Sequence, residues 1–272
     1  MMKICYIILA HERLKYVKRL IAMLSGNDTS FVIHIDKKCQ EDISILSDLE
    51  GTTLVDNRVD VKWGDISQVD ATISASRAAL ATKAEYFILL SGSDYPVKTP
   101  GYIRQYLSQD PRNHIGGVPL PSNQCNWLQH GYRRIGCYAL RLNSKNIATI
   151  EPRKLDIQNL RQLAKVVIRW KHLLKALRIL THYPKRPPCP KLTPHGGEYW
   201  WRLNRESLER CIAYLDQNPD FHSWLLDSAN PDELCFNTLA YNLCDNNDGN
   251  ILTHISWNAT SSMPGGVNRL IS

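Results

Sequence analysis

The 272-residue sequence predicts one α/β domain, a mostly parallel sheet flanked by helices, and three observations carry that reading. Short, near-continuous apolar runs (ICYIILA, FVIHI, YFILL) have the length and composition of strands buried on both faces. Stretches of helical periodicity separate them, and strand–helix–strand order with short connections is the pattern of an open parallel sheet. Each run also ends abruptly in polar residues, as strands do where they deliver loops to a ligand-binding rim.

Taken in order, 3–10 reads as a buried strand and 12–24 as a helix with Leu14, Val17, Leu20 and Ile21 on one face. Residues 30–36 form a second strand and 52–59 a weaker third, followed by an Ala-rich helix over 65–82 and a strand over 84–90 that stops at SGSDYP. A short helix is expected over 102–107. From about residue 111 Pro, Asn, Trp and Tyr interleave with little periodicity, until a long helical pattern covers 155–180. The proline-rich run 183–195 cannot be regular helix. A strand over 198–203 and helices over 206–218 and 232–243 follow, the last started by the Pro231-Asp232-Glu233 turn.

A 43% hydrophobic composition suffices for a real core. No stretch approaches the ~20 apolar residues of a membrane-spanning helix, and the apolar N-terminus lacks the cleavage site of a signal peptide. The eight cysteines show no C-x-x-C pair, which predicts reduced thiols, a cytoplasmic location and no zinc site. The net charge of +7 is local: 153–186 holds ten Lys/Arg against Asp156 alone, leaving about −2 elsewhere. That distribution argues against nucleic acid as a partner. Within it Leu163, Val167, Trp170, Leu174 and Leu177 recur at helical spacing, with Lys165, Arg169, Lys171, Lys175 and Arg178 around them. Two readings stand: a helix packing its stripe on the sheet domain, or an interfacial helix in peripheral contact with an anionic membrane.

Three strand ends converge on one rim: Leu9-Ala10-His11, Asp36-Lys37-Lys38, and the turn holding Asp94. Asp36 suits ribose or uracil hydrogen bonds, and Lys37 or Lys38 suits phosphate; alone, each is equally an ordinary loop residue. No glycine-rich phosphate loop is present, against dehydrogenases and ATPases. No two aspartates lie two positions apart, so a D-x-D metal pair is absent and no metal is expected. In GGEYWWRLNR, Trp200 and Trp201 would face opposite sides of a strand, one into the core and one offering a flat face to a sugar. Glu233, in the first turn of its helix, is either a charge favouring the helix start or a general base, with Glu198 as its rival.

At these residues the chain resembles the core-2/I-branching family, which includes β-1,6-N-acetylglucosaminyltransferases and peptide O-xylosyltransferases. The resemblance runs through ILAHERLKYVKRL, HIDKK, VKWGDISQVDA, LSGSDYPVKT, GGEYWWRLNR and PDELCFNT, roughly 3–107 and 196–257. It implies a GT-A-like fold, an inverting reaction and metal-free donor binding. The donor positions fall on Leu9, Ala10, His11, Asp36, Lys37 and Lys38, and the catalytic base on Glu233. It divides one glycosyltransferase domain into a nucleotide-sugar half (1–110), a variable insertion with the basic helix (111–195) and an acceptor half (196–272). The family supplies a basic side chain to the diphosphate beyond a motif like LTHISW. Here ATSSMPGGVNRLIS follows, a shortened end in which His254 and Arg269 are the candidates. The implied partners are a UDP-sugar donor, most readily UDP-N-acetylglucosamine with UDP-xylose as the alternative, and a glycan or lipid-linked glycan acceptor. A catalytically inactive glycan- or nucleotide-sugar-binding protein is the competing class.

Overall fold

The computed structural model describes residues 2–143, 146–167, 170–251, 253–256 and 267–270. The chain opens β1 (Ile4–Ala10), α1 (Leu14–Leu24), β2 (Thr29–Ile35), α2 (Ser44–Ser47), β3 (Thr52–Leu54), α3 (Ile66–Leu80), β4 (Tyr86–Ser91), β5 (Tyr95–Pro96) and α4 (Pro100–Gln109). It continues through β6 (Asn113–His114), β7 (Gly117–Pro119), α5 (Tyr132–Ile135), β8 (Tyr138–Arg141), β9 (Ile147–Ile150), α6 (Ile157–Val167) and α7 (Trp170–His182). β10 (His195–Gly197), β11 (Arg202–Asn204), α8 (Arg205–Gln217), α9 (Pro219–Leu226), α10 (Asp232–Leu243), β12 (Asn247–Asp248), β13 (Thr253–Ser256) and β14 (Val267–Leu270) follow.

The central sheet has the order β12-β6-β11-β4-β1-β2-β3. β3, β2, β1 and β4 are parallel, and β11 runs against both β4 and β6. This is the mostly parallel, helix-flanked sheet that the apolar runs predict. Alternation along the strands feeds two cores. Tyr6, Ile8, Phe31, Ile33, Ile88 and Leu90 face α1 and α4. Cys5, Ile7, Val32, Phe87 and Leu89 face α3, α8 and α10. A third cluster joins the β8–β9 hairpin to Val166, Ala176, Ile179 and Leu180 of α6 and α7.

Several boundaries differ from expectation. The third strand stops at Leu54, where Asp56 and Asn57 break the apolar run. α4 is longer than its periodicity suggests, because Thr99 accepts from the Tyr102 amide and Pro100 suits the first turn. Pro219 likewise starts α9 directly after α8. Of the strand expected over 198–203 only the end forms, as β11; residues 198–201 are a connection from β10, which precedes the expected range. The long helical pattern is two helices. Its expected stripe does not make the core: Leu163 is half-buried while Val167, Leu174 and Leu177 are exposed. Arg169 and the side chains of Trp170 and Lys171 lie outside the described residues.

Candidate active site

The three predicted strand ends do meet at one rim, tied by backbone hydrogen bonds. The Asp36 amide donates to the Ala10 carbonyl (2.8 Å) and the Gly92 amide to that of Leu9 (2.8 Å). Gly92 permits this approach, since a Cβ there would lie 3.0 Å from Val17 and 3.1 Å from the Ala10 methyl. The loop after β2 is cross-braced: Arg58 donates to the carbonyls of Ile35 and Asp36, and His34 Nε2 accepts from the Val59 amide. Burial pushes the His34 pKa below the usual histidine value, so the ring is a neutral acceptor.

The candidate donor residues differ in freedom. Asp36 is buried, and its carboxylate takes the Lys38 amide (2.8 Å) and ammonium (3.0 Å). Lys38 also donates to Asp60 (2.6 Å), so its charge already serves two carboxylates. Lys37 and His11 are exposed and Leu9 is half-buried. Asp94 is buried in the turn after β4 and accepts from the Ser91 amide (2.9 Å). The side chains of His254 and Arg269 lie outside what the structure describes. Their backbones pair with each other, and that of Arg269 with Tyr95 of β5.

The reversed β11 brings the second half to the same rim. The Leu89 amide donates to Trp201 O (3.0 Å) and Arg202 faces Ile88, so residues 198–201 emerge where β4 ends. Trp201 is buried against Phe236 (4.9 Å between centroids), and Trp200 is half-buried beside Tyr199 (5.0 Å). Trp201 is thus the core member of the pair, while Trp200 also packs partly on that core, and both lie in a loop rather than a strand. Asn237 of α10 donates to the carbonyls of Glu198 (3.0 Å) and Glu233 (3.1 Å), fixing both acids to one helix. The loop containing Gly64 joins them: a Cβ on Gly64 would meet the Asn230 side chain at 3.5 Å, one residue before the Pro231 turn. That turn caps α10 without a side-chain hydrogen bond, leaving its acids free for other contacts.

Glu233 is paired with Arg134, whose guanidinium lies over the Trp127 ring at 3.5 Å from the centroid. Burial raises the Glu233 pKa above the usual carboxylate value, and Arg134 opposes the rise. Glu198 is raised by burial and by the charge of Glu233. Asp232 is buried and raised well above its ordinary value by burial, then by Glu233. Three carboxyls and one guanidinium with restricted access to solvent are a setting for moving a proton. Arg134, Trp127 and Asp232 are additions to the predicted set. The first two lie in the 111–195 segment, where no motif marks them.

Among the described residues, the set whose geometry could hold a cation is Asp110, His114 and Asp248. It lies at the β6–β12 end of the sheet, with β11 and β4 between it and β1. Arg112 already bridges its two carboxylates, at 2.7 and 3.3 Å.

The model of the Core-2/I-Branching enzyme family matches residues 4–159. A human protein, beta-1,3-galactosyl-O-glycosyl-glycoprotein beta-1,6-N-acetylglucosaminyltransferase 3, is 21% identical over 248 residues. That alignment covers 87% of this chain and 47% of the relative, so the chain spans about half the relative's length. Among solved structures, S. aureus TarS 1-349 is similar at 10% identity and a TM-score of 0.33, over 84% of this chain and 66% of that one.

Proposed function

This chain belongs to the core-2/I-branching enzyme family, and from that premise we propose that it is an inverting glycosyltransferase using a UDP-sugar, with Glu233 as general base. The observation that carries the reading is the meeting, at one rim of the sheet, of the Leu9–His11 and Asp36–Lys38 loops with the Glu198, Glu233 and Arg134 cluster. Glu233 swings off Arg134 and takes the proton of an acceptor hydroxyl. The acceptor oxygen attacks the anomeric carbon opposite the diphosphate, the C1–O bond to phosphate breaks, and UDP leaves with the electron pair. The transition state is oxocarbenium-like. Lys37 and Lys38 are both exposed in the donor loop, Lys38 already paired with Asp36 and Asp60, and Arg269 is the candidate from the C-terminal strand. The human relative's name favours N-acetylglucosamine as the sugar and a glycan as the acceptor. We place the reaction in a reducing compartment, consistent with eight free cysteines.

Donor binding without a metal is part of the proposal; among the described residues, the Asp110, His114 and Asp248 cluster sits away from the donor loops. UDP and UDP-N-acetylglucosamine should raise the melting temperature equally in EDTA and in Mn²⁺, and transfer should survive chelation. Activity lost in EDTA and restored by Mn²⁺ or Mg²⁺ removes the metal-free mechanism. Donor binding without hydrolysis or transfer to any acceptor favours an inactive sugar-binding protein.

A further inference from the structure

α6 is amphipathic in the inverted sense. Its inward face is polar, with Asn159 and Gln162 buried beside Val166. Asn159 accepts from Arg133 (2.8 Å) and the Glu151 amide (3.0 Å), and donates to the carbonyls of Glu151 and Lys154 (both 2.7 Å). The helix is therefore pinned by a buried polar network together with Val166 and the half-buried Leu163, which leaves its other aliphatic residues outside the core. Those face solvent: Ile157, Leu160, Ala164 and Val167 recur at spacings of three and four, and Leu160 and Val167 are 55% and 58% exposed. α7 leaves Leu174 (71%) and Leu177 (42%) exposed, and Leu155 before α6 is 78% exposed. About half of the large exposed hydrophobic residues of the described protein fall within these 23 positions.

Arg161, Lys165, Lys175 and Arg178 are exposed alongside these aliphatics. The segment's balance of +9 makes a second copy a poor partner for this face, because two such surfaces repel. Aliphatic residues bordered by dispersed cations fit the boundary between anionic headgroups and acyl chains. We propose that α6 and α7 form a docking surface for an anionic phospholipid membrane, holding the enzyme at the bilayer. The inference rests on exposure and charge and does not depend on the catalytic reading.

The test is co-sedimentation of the full chain with vesicles of phosphatidylcholine alone and with 30% phosphatidylglycerol added (about one lipid in three). Binding should require the anionic lipid and weaken as salt rises. Leu160→Ser/Leu174→Ser/Leu177→Ser removes apolar anchors, and Arg161→Glu/Lys165→Glu/Lys175→Glu removes attraction worth roughly fivefold in partitioning per charge, about 10²-fold together. All six positions are exposed, so circular dichroism and melting should be unchanged. Either triple variant should abolish pelleting. Failure to bind anionic vesicles, equal binding to neutral ones, or binding that survives both variants overturns the proposal. So does capture by an acidic protein or self-association lost in the Ser variant without vesicle binding, since the face would then serve a protein partner.

Discussion

Arg134 and Glu233 offer the sharpest test of the site, because removing the guanidinium changes the base without touching it. Glu233 is half-buried, its pKa is raised by burial, and Arg134 restrains that rise. An opposite charge in contact typically lowers a carboxyl pKa by about 1–3 units. Arg134→Met should therefore move the acidic limb of kcat/KM up by roughly that amount, because Glu233 must be ionised to accept a proton. The charge of Glu233 in turn raises the pKa of Glu198 and Asp232, in both cases after burial. Stability should follow with a defined sign. A carboxyl whose folded pKa is raised stabilises below its unfolded value, near 4.3, and that contribution is lost as pH rises through the folded pKa. The variant should match the wild type near pH 4 and fall behind above pH 5, by about 1–3 kcal/mol for a poorly solvated charge left unpaired. Initial transfer rates from pH 5 to 9 and urea melts at both ends check the two parts. Arg134→Lys keeps the charge and should shift the limb less. An unmoved limb with a uniform loss of rate would mean that Arg134 acts on a substrate and not on Glu233.

Glu233→Gln should reduce transfer by about 10²–10⁴-fold or more with UDP affinity retained, whereas Glu198→Gln should cost much less; the reverse order in parallel assays would reassign the base. Asp232 is raised by burial first and Glu233 second, so its contribution to stability is present below its unfolded pKa and lost as pH rises through the folded one. Asp232→Asn should flatten that decline, with a gain over wild type of about 1–3 kcal/mol at pH 8 and none near pH 4 by thermal melting. Arg186 is buried and donates to the carbonyls of Arg134 (2.6 Å), Cys137 (3.1 Å) and Trp224 (2.7 Å) and to Ser228 Oγ (2.6 Å). Arg186→Met strands these acceptors and should cost about 3 kcal/mol or more in urea unfolding; a near-neutral result would show that water replaces the guanidinium.

What the sequence makes legible is what local pattern encodes. β1, β2 and β4 are buried on both faces, and continuous apolar runs announce them. The rim where their loops meet follows from where those runs end. The strands of two or three residues, β6, β7, β10 and β12, carry no such signal because their neighbours in space define them. Gly197 is an example: a Cβ there would lie 1.6 Å from Gly116 O, a constraint visible only when β10 lies against β7. The helical periodicity of 155–180 is real, but periodicity does not say which stripe is buried. In α6 the answer came from Arg133 and Glu151, which offer Asn159 its partners. Arg134 escaped notice for the same reason, standing 99 residues from the glutamate it holds.

The direction of β11 has a bearing on how such a protein diversifies. Its ladder to β4 fixes Arg202 opposite Ile88, and Asn237 fixes the Glu198 carbonyl to α10. Residues 198–201 are thus a connection held at both ends, by the β11 ladder and by Asn237 of α10. One residue inserted there lengthens the connection by up to roughly 3.3 Å and breaks the spacing between its two anchors. The stretch 127–134, which supplies Trp127 and Arg134, lies outside the sheet and can change in length without resetting that register.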